Sequence, residues 1–135
     1  MSGETDLQTL IAHMRPVLDP EPYVFCTFAE RSLEELVSCD PLALIAEPEG
    51  TTAILSADMA RQHGLPAKDP FQRISLTVHS SLEAVGLTAA VSTALAEAGI
   101  PANVVAAFFH DHVFVPEAQA DKAMTILKSL SETRA

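Results

Sequence analysis

The spacing of apolar residues along this chain changes between strand-like alternation and helix-like recurrence. Residues 74–78 alternate apolar and polar positions, which predicts a strand with one buried face. Residues 86–98 are rich in alanine and leucine at spacings of three and four, which predicts a helix that Gly99 ends. A similar spacing after Pro116 predicts the last helix. The N-terminal helix is predicted by the same spacing at Leu7, Leu10, Ile11 and Met14.

The segment after the N-terminal helix is punctuated by proline. Three prolines within residues 16–22 predict a stiff connector. Residues 23–28 are rich in aromatic and β-branched types, which predicts a buried strand. Ser32 is followed three residues later by Glu35, and this pair predicts a capped helical turn.

Two hairpins are predicted, one in each half of the chain. Residues 42–46 and 51–55 are apolar runs on either side of a turn that contains proline and glycine. Residues 103–109 and 112–115 form the second pair of apolar runs. Ser56 directly follows the first hairpin, where its hydroxyl can cap a short helix.

The two halves therefore show the same order of strand, helix, hairpin and helix. This order predicts an α+β fold of tandem βαββα units, each an antiparallel sheet with helices packed on one face. We expect residues 1–20 to form a helix and a Pro-rich connector, residues 21–70 a degenerate first unit, and residues 71–135 a complete second unit.

Charge and composition exclude several classes of function. The chain carries a net charge of −10 with only 8 basic residues, so it is not expected to bind nucleic acid. No apolar run approaches the ~20 residues that span a bilayer, and the N-terminus has no signal-peptide pattern. We therefore expect a cytoplasmic protein without a membrane partner. Cys26 and Cys39 lack metal-binding spacing and are expected to be packing residues.

The bend between the strand over residues 74–78 and the following helix is the best candidate for a binding site. A helix N-terminus exposes unpaired N–H groups and the positive end of the helix dipole, and both favour a carboxylate. Val85, Gly86 and Leu87 form this bend, and Gly86 has no Cβ to block a close approach. The alternative is that Gly86 only permits a tight turn.

Asn103 and Asp111 are the candidate side chains on the hairpin that returns beside this bend. Asn103 offers both donors and acceptors, and Asp111 offers a carboxylate to an ammonium group. Each also has a structural explanation. Asp111 falls in the predicted hairpin turn, where aspartate bonds to nearby backbone, and Asn103 can cap the turn after Pro101.

Catalysis and metal binding have weaker support. His79, His110 and His112 supply enough imidazoles for a zinc site with an open position, but their spacing is unspecific. Hydrogen-bonded structural histidines explain them better. The sequence contains no nucleophile elbow, phosphate-binding loop or dinucleotide-binding motif. We therefore expect no enzyme activity, no bound metal and no cofactor.

Three segments of the second half resemble the ACT domain family. They are residues 78–88, the Gly-Ile-Pro-Ala-Asn turn at 99–103, and Asp-His-Val-Phe-Val-Pro at 111–116. The specific resemblance covers residues 74–130, with a looser one over residues 23–64. The chain looks like small stand-alone bacterial proteins made of two ACT-like units. The resemblance implies ferredoxin-like units that bind amino acids or other small metabolites and regulate enzymes.

The resemblance also implies where a ligand would lie. In this family it is held between two units and against the loop joining the first strand to the first helix, where a glycine recurs, and Gly86 matches that glycine. The 111–116 segment is similar to one in cytosolic arginine sensors, which implies that Asp111 receives a ligand ammonium group. ACT units commonly pair side by side, which implies that this chain forms a homo-oligomer, most simply a dimer.

The sequence as a whole predicts a regulatory or sensor module that binds a small molecule, an amino acid by analogy, between its ACT-like units. A second hypothesis is an oligomerising interaction module with no functional ligand site. A third is a histidine-dependent metal site. Thermal shift with amino acids, light scattering and elemental analysis separate the three.

Overall fold

The chain builds two units, and the first of them is assembled from both ends of the sequence. The computed structural model describes residues 6–30, 33–79 and 85–134. Met1–Pro20 and Gln72–Ala135 form unit 1, and Glu21–Phe71 forms unit 2. In chain order the elements are α1 (Leu7–Ala12), β1 (Pro16–Phe28), α2 (Leu33–Ser38), β2 (Ala43–Glu47), β3 (Gly50–Ser56), α3 (Ala57–Gln62), β4 (Phe71–Leu76), α4 (Leu87–Glu97), β5 (Asn103–Ala106), β6 (Asp111–Pro116) and α5 (Ala120–Arg134), with a 3-10 turn at Glu117–Gln119.

Unit 1 takes the first residues of β1 as one of its strands. Its strand order is β1-β4-β6-β5, and β5 pairs with β6 in the antiparallel sense. Side chains join β1 to β4, because the Arg73 guanidinium donates to the Asp19 carboxylate at 2.9 Å. The Gln72 amide also donates to the main-chain oxygen of Asp19 at 3.2 Å. Residues 16–20 therefore complete the sheet of unit 1.

The core of unit 1 lies between this sheet and helices α1, α4 and α5. Along β6, the buried Val113 and Val115 belong to this core and lie on one face of the strand. One face of the sheet is therefore covered by the helices. The buried members of the core are Leu10, Ile11, Met14, Ile74, Leu76, Leu87, Val91, Leu95, Ile100, Val113, Val115, Ala120, Ala123 and Leu127.

The predicted Pro-rich connector is wrong, because Pro16–Phe28 forms one continuous strand. The fixed φ of proline is compatible with extended backbone, and what proline removes from a strand is an N–H donor. All three prolines occupy even-numbered positions, so the missing donors fall on one edge of the strand. The other edge keeps its donors. Pairing with β3 begins at Tyr23, directly after the last proline.

Unit 2 is a smaller sheet with two short helices. Its strand order is β2-β3-β1, with both pairs antiparallel, and Tyr23 lies opposite Ser56. Helices α2 and α3 have 6 residues each, against 11 in α4 and 15 in α5. The helical layer of this unit is therefore reduced. Its buried core consists of Val24, Cys26, Phe28, Leu36, Cys39, Ala53, Leu55, Ala57 and Ala60.

Most of the predicted elements are confirmed. The first hairpin is present as β2 and β3, and the Ser56 hydroxyl accepts the Met59 N–H at 3.1 Å to cap α3. Helix α4 ends where predicted, just before Gly99, which adopts φ +73. The predicted α+β class with antiparallel pairing is also confirmed. The predicted cap at Ser32 lies outside the described residues.

Candidate functional site

The predicted bend forms the N-terminal end of α4. Gly86 is the cap residue, with φ +102, and its main-chain oxygen accepts the Ala90 N–H at 2.9 Å. No side chain of the described residues caps this end. Val85 is 82% exposed, whereas Leu87 is 3% exposed and belongs to the unit 1 core. The first N–H groups of α4 are therefore without a side-chain acceptor in the part of the chain described. Residues 80–84, which precede the bend, lie outside that part.

Gly86 is also a packing residue. A Cβ built at this position would lie 3.0 Å from Cδ2 of Leu7 in helix α1. The space that the glycine leaves free is therefore occupied by Leu7. An open groove of about 500 Å³ runs on from this contact along α4. It is lined by Leu7, Gly86, Ala89, Ala90, Thr93, Ala94, Glu97 and Leu130.

Asp111 lies in a strand and not in the turn where it was predicted. The hairpin turn is made by residues 107–110, in which the Ala107 N–H donates to the His110 oxygen at 3.1 Å. Asp111 is the first residue of β6 and lies opposite Ala106. Burial raises the pKa of its carboxyl group, and the charge of the neighbouring His110 has a smaller effect in the opposite direction. Among the residues described, no ion pair involves Asp111.

Asn103 is not brought together with Asp111. It lies opposite Phe114, three residue pairs along the ladder from Asp111, which is about 10 Å of strand. Side chains alternate between the faces of a strand, so Asn103 shares a face with Phe114, whereas Asp111 shares one with Val113. Asn103 is exposed at the start of the strand. A ligand of amino-acid size on Asp111 is therefore not expected to reach Asn103.

An aromatic cluster at the tip of the β5–β6 hairpin escaped the sequence interpretation. The rings of Phe108 and Phe109 lie edge to face with centroids 4.9 Å apart. His79, just beyond β4, packs against both rings, and His110 contacts the ring of Phe109. Two consecutive phenylalanines in a turn, where polar residues and glycine are usual, are the feature of the sequence that could have revealed it.

His112 belongs to a polar group on the other face of the unit 1 sheet. Its Nδ1 lies 2.8 Å from the Ser75 hydroxyl, at hydrogen-bond distance. Burial lowers the pKa of His112, and the nearby charges of Arg73 and His110 lower it further. No three histidine, cysteine, aspartate or glutamate side chains of the described residues are grouped as a metal site would require. The three histidines instead make ring contacts or hydrogen bonds within the protein: His79 with Phe108 and Phe109, His110 with Val78, and His112 with Ser75.

Both cysteines are free thiols buried in the unit 2 core. Burial raises the pKa of the Cys26 thiol, and the proximity of Cys39 raises it further. A raised pKa keeps the thiol protonated and unreactive at neutral pH. The Cys39 thiol donates to the main-chain oxygen of Glu35 at 3.5 Å. These contacts agree with the packing role expected from the sequence.

Comparison with known proteins gives consistent matches over nearly the whole chain. Residues 2–72 match a family model described as ACT domain, and residues 72–129 match a second model with the same description. Among solved structures, a Vibrio cholerae protein of unknown function, described as a possible transport protein, is 49% identical with a TM-score of 0.81. The match covers 88% of this chain and 91% of that one.

More distant structures share the fold. An Agrobacterium tumefaciens protein is 17% identical with a TM-score of 0.64, covering 82% of this chain and 84% of its own. The regulatory subunit of aspartate kinase from Thermus thermophilus, in its ligand-free form, is 13% identical with a TM-score of 0.64. That match covers 85% of this chain and 95% of the subunit. None of the curated proteins matches this sequence. Among the described residues, no helix has both the length and the apolar character needed to cross a bilayer.

Proposed function

This chain belongs to the ACT domain family, and we propose that it is a regulatory module that senses a free amino acid. ACT domains act as binding modules for small molecules, which sets the class of function. The choice of an amino acid comes from the chemistry of two places in unit 1. One accepts a positive group, and the other accepts a negative group.

The observation that carries the proposal is the partly buried carboxylate of Asp111. Burial raises its pKa, so the ionised form is less favourable in the folded protein than in water. No ion pair among the described residues compensates this cost. A carboxylate kept at such a cost is typical of a functional site. An ammonium group supplied by a ligand would provide the missing opposite charge.

The start of α4 supports the second contact. Its first N–H groups have no side-chain acceptor among the described residues, and they lie at the positive end of an 11-residue helix. A carboxylate is the ligand group that this end favours. An α-amino acid carries both the carboxylate for Val85, Gly86 and Leu87 and the ammonium for Asp111. We include Gly86 through its main chain only, because Leu7 occupies the space beside its Cα.

The test is thermal shift of the full chain with each proteinogenic amino acid at millimolar concentration. A ligand that binds the folded state raises the melting temperature. We expect at least one amino acid to do so, and we expect Asp111→Asn to weaken its binding by about tenfold or more, as for a lost charge-assisted hydrogen bond. Asn103→Ala is the matched control, since it removes a polar group of the same hairpin that lies on the other face.

Each variant is compared with itself in the absence of ligand, because Asp111→Asn changes the stability of the free protein as well. The folded pKa of Asp111 is raised above 3.8, so its contribution to stability is favourable below that value and is lost as pH rises through the folded pKa. Removing the charge should therefore stabilise the free protein at neutral pH. If no amino acid raises the melting temperature, or if Asp111→Asn responds like the unchanged protein, the proposal is wrong.

A further inference from the structure

Four rings meet at the tip of the β5–β6 hairpin, and none of them is used by the contacts proposed above. Phe108 and Phe109 lie with centroids 4.9 Å apart at an interplanar angle of 74°. The imidazole of His79 lies 6.2 Å from the first ring and 5.4 Å from the second. The ring of His110 lies 6.5 Å from that of Phe109, and its Nδ1 lies 3.4 Å from the main-chain oxygen of Val78. Each phenyl ring is therefore in contact with at least one imidazole.

The two phenyl rings nevertheless remain largely in water. Phe108 is 58% exposed and Phe109 is 56% exposed. Burying a phenylalanine side chain away from water contributes a favourable free energy, which these exposed rings do not obtain. Turns are also normally made of polar residues and glycine. An ordered pair of exposed phenyl rings is thus a surface that gains by being covered.

The geometry of the pair favours a flat aromatic group over an aliphatic one. At 74° the two rings form a corner, with the face of one ring beside the edge of the other. An aromatic ring entering this corner can stack offset on the first and receive the edge of the second, and both arrangements suit the ring quadrupoles. An aliphatic side chain would bury apolar surface there but would make neither of these ring–ring contacts.

We propose that this corner receives the side chain of an aromatic amino acid. The inference rests on the proposed function, since the ammonium group of the same ligand would lie on Asp111, two residues beyond Phe109. The corner also adjoins the end of β4 through His79. The aromatic corner would decide which amino acid is selected, and the main-chain and Asp111 contacts would bind what all amino acids share.

The test uses the fluorescence of the ligand. The chain contains no tryptophan, so L-tryptophan excited at the long-wavelength edge of its absorption, where Tyr23 does not absorb, reports its binding through emission and anisotropy without a background from the protein. L-phenylalanine and L-tyrosine are measured by competition, and L-leucine and L-alanine are the non-aromatic comparisons. We expect the tightest aromatic amino acid to bind at least tenfold more tightly than leucine.

The variants are F108A/F109A, F109L and the control Phe25→Ala. The double variant should lose at least tenfold in affinity for the aromatic ligand and little for alanine. F109L keeps an apolar side chain without a ring, so it should reduce the preference for aromatic over aliphatic ligands. Phe25 is 42% exposed in unit 2, with its ring 5.7 Å from that of Phe71, and its removal should leave tryptophan binding unchanged.

Failure of this inference can be told from failure of the proposed function. If leucine or alanine binds in an Asp111-dependent way with no preference for aromatic ligands, only the aromatic corner is overturned. If no amino acid binds at all, both proposals are overturned. If F108A/F109A instead converts a dimer into a monomer in light scattering without changing affinity, the rings serve self-association and the inference is wrong.

Discussion

His112 shows how one residue of unit 1 couples stability to pH. Its ring lies in the strand position next to the buried Val113, on the face turned away from the helices, and bonds to Ser75. Burial is the main cause of its lowered pKa, followed by the positive charges of Arg73 and His110. Arg73 is itself tied to Asp19 at 2.9 Å. The folded protein therefore favours the neutral imidazole.

We predict that this preference makes the protein less stable at mildly acidic pH. The folded pKa lies below the ordinary value of 6.5, so the contribution of His112 is complete above 6.5 and is lost as pH falls through the folded pKa. Urea unfolding at several pH values between about 8 and about 5 measures the loss. His112→Asn, whose amide can replace the Nδ1 contact, should show a smaller loss over the same range.

Comparing the unchanged protein with His112→Asn isolates the contribution of His112, because the remaining histidines are present in both. An equal loss of stability in the two proteins would show that other groups cause the pH dependence. Ser75→Ala is a second control. It removes the hydrogen bond to the ring but leaves in place the burial and the charges of Arg73 and His110, which cause the shift in pKa.

At the residue scale, the chemistry of each candidate side chain was predictable from the sequence, but its burial and its neighbours in space were not. Asp111 was identified as a candidate by its carboxylate, and its strand position, burial and lack of an ion pair among the described residues come from the fold. Asn103 was grouped with it because both lie on one hairpin. The two are separated by the register of the ladder, which depends on where the turn closes.

At the scale of elements, Gly86 links two helices. It begins α4 in a backbone conformation with φ +102, and its missing side chain leaves room for Leu7 of α1. The sequence predicted the glycine as a bend and as a place for a ligand. It could not show Leu7 there, because the two residues lie almost 80 positions apart in the chain. Contacts between distant elements follow from packing and not from local spacing.

We predict that Gly86→Ala destabilises the protein more than the same change at two other glycines. Gly64 and Gly99 have φ +70 and +73 with open space around them, so alanine should cost about 1–2 kcal/mol there, the usual penalty of left-handed backbone. At Gly86 the added methyl also meets Leu7 at 3.0 Å. Urea unfolding of the three variants measures the difference.

A double-mutant cycle separates the two causes at Gly86. In Gly86→Ala combined with Leu7→Ala, the methyl has room, and we expect the pair to be less destabilising than the sum of the single changes. Strictly additive effects would mean that only the backbone conformation opposes alanine at this position.

Strand β1 gives the largest difference between the predicted and observed elements. Local composition suggested a connector because three prolines fall within seven residues. A strand forms because the neighbouring strand β4 supplies partners, such as Arg73 for Asp19. The prolines allow a strand because all of them occupy even-numbered positions and so remove donors from one edge only. Whether the strand forms depends on the presence of β4 beside it.

At the scale of the whole molecule, unit 1 depends on both ends of the chain. Helix α1 contributes Leu10 and Ile11 to the core, and Met14 follows it, all at 0% exposure. Truncating a buried residue of this kind costs about 2–5 kcal/mol, and a domain is stable by about 5–15 kcal/mol. Losing all three, together with the strand at residues 16–20, removes an amount comparable to the whole stability.

We predict that a fragment of residues 72–135 does not fold, whereas a permuted chain does. In the permuted chain, residues 72–134 are followed by a short glycine-serine linker and residues 6–20. The linker is feasible because Leu7 of α1 and Leu130 of α5 line the same groove. Circular dichroism and urea unfolding should show a cooperative transition for the permuted chain alone. A cooperative transition in the fragment would show that the N-terminal residues are dispensable for this core.

The sequence by itself determined most of the local elements and the class of fold. Strand alternation, helical spacing, the Ser56 cap and the turn residues act over a few neighbours, and these are confirmed in β3, α3 and α4. Tertiary structure alone decided that residues 16–20 join a sheet with β4 and that Leu7 fills the space at Gly86. It also decided that Asp111 is partly buried while Asn103 is exposed. These depend on which distant segments pack together, because burial and pairing are properties of neighbours in space and not of neighbours in the chain.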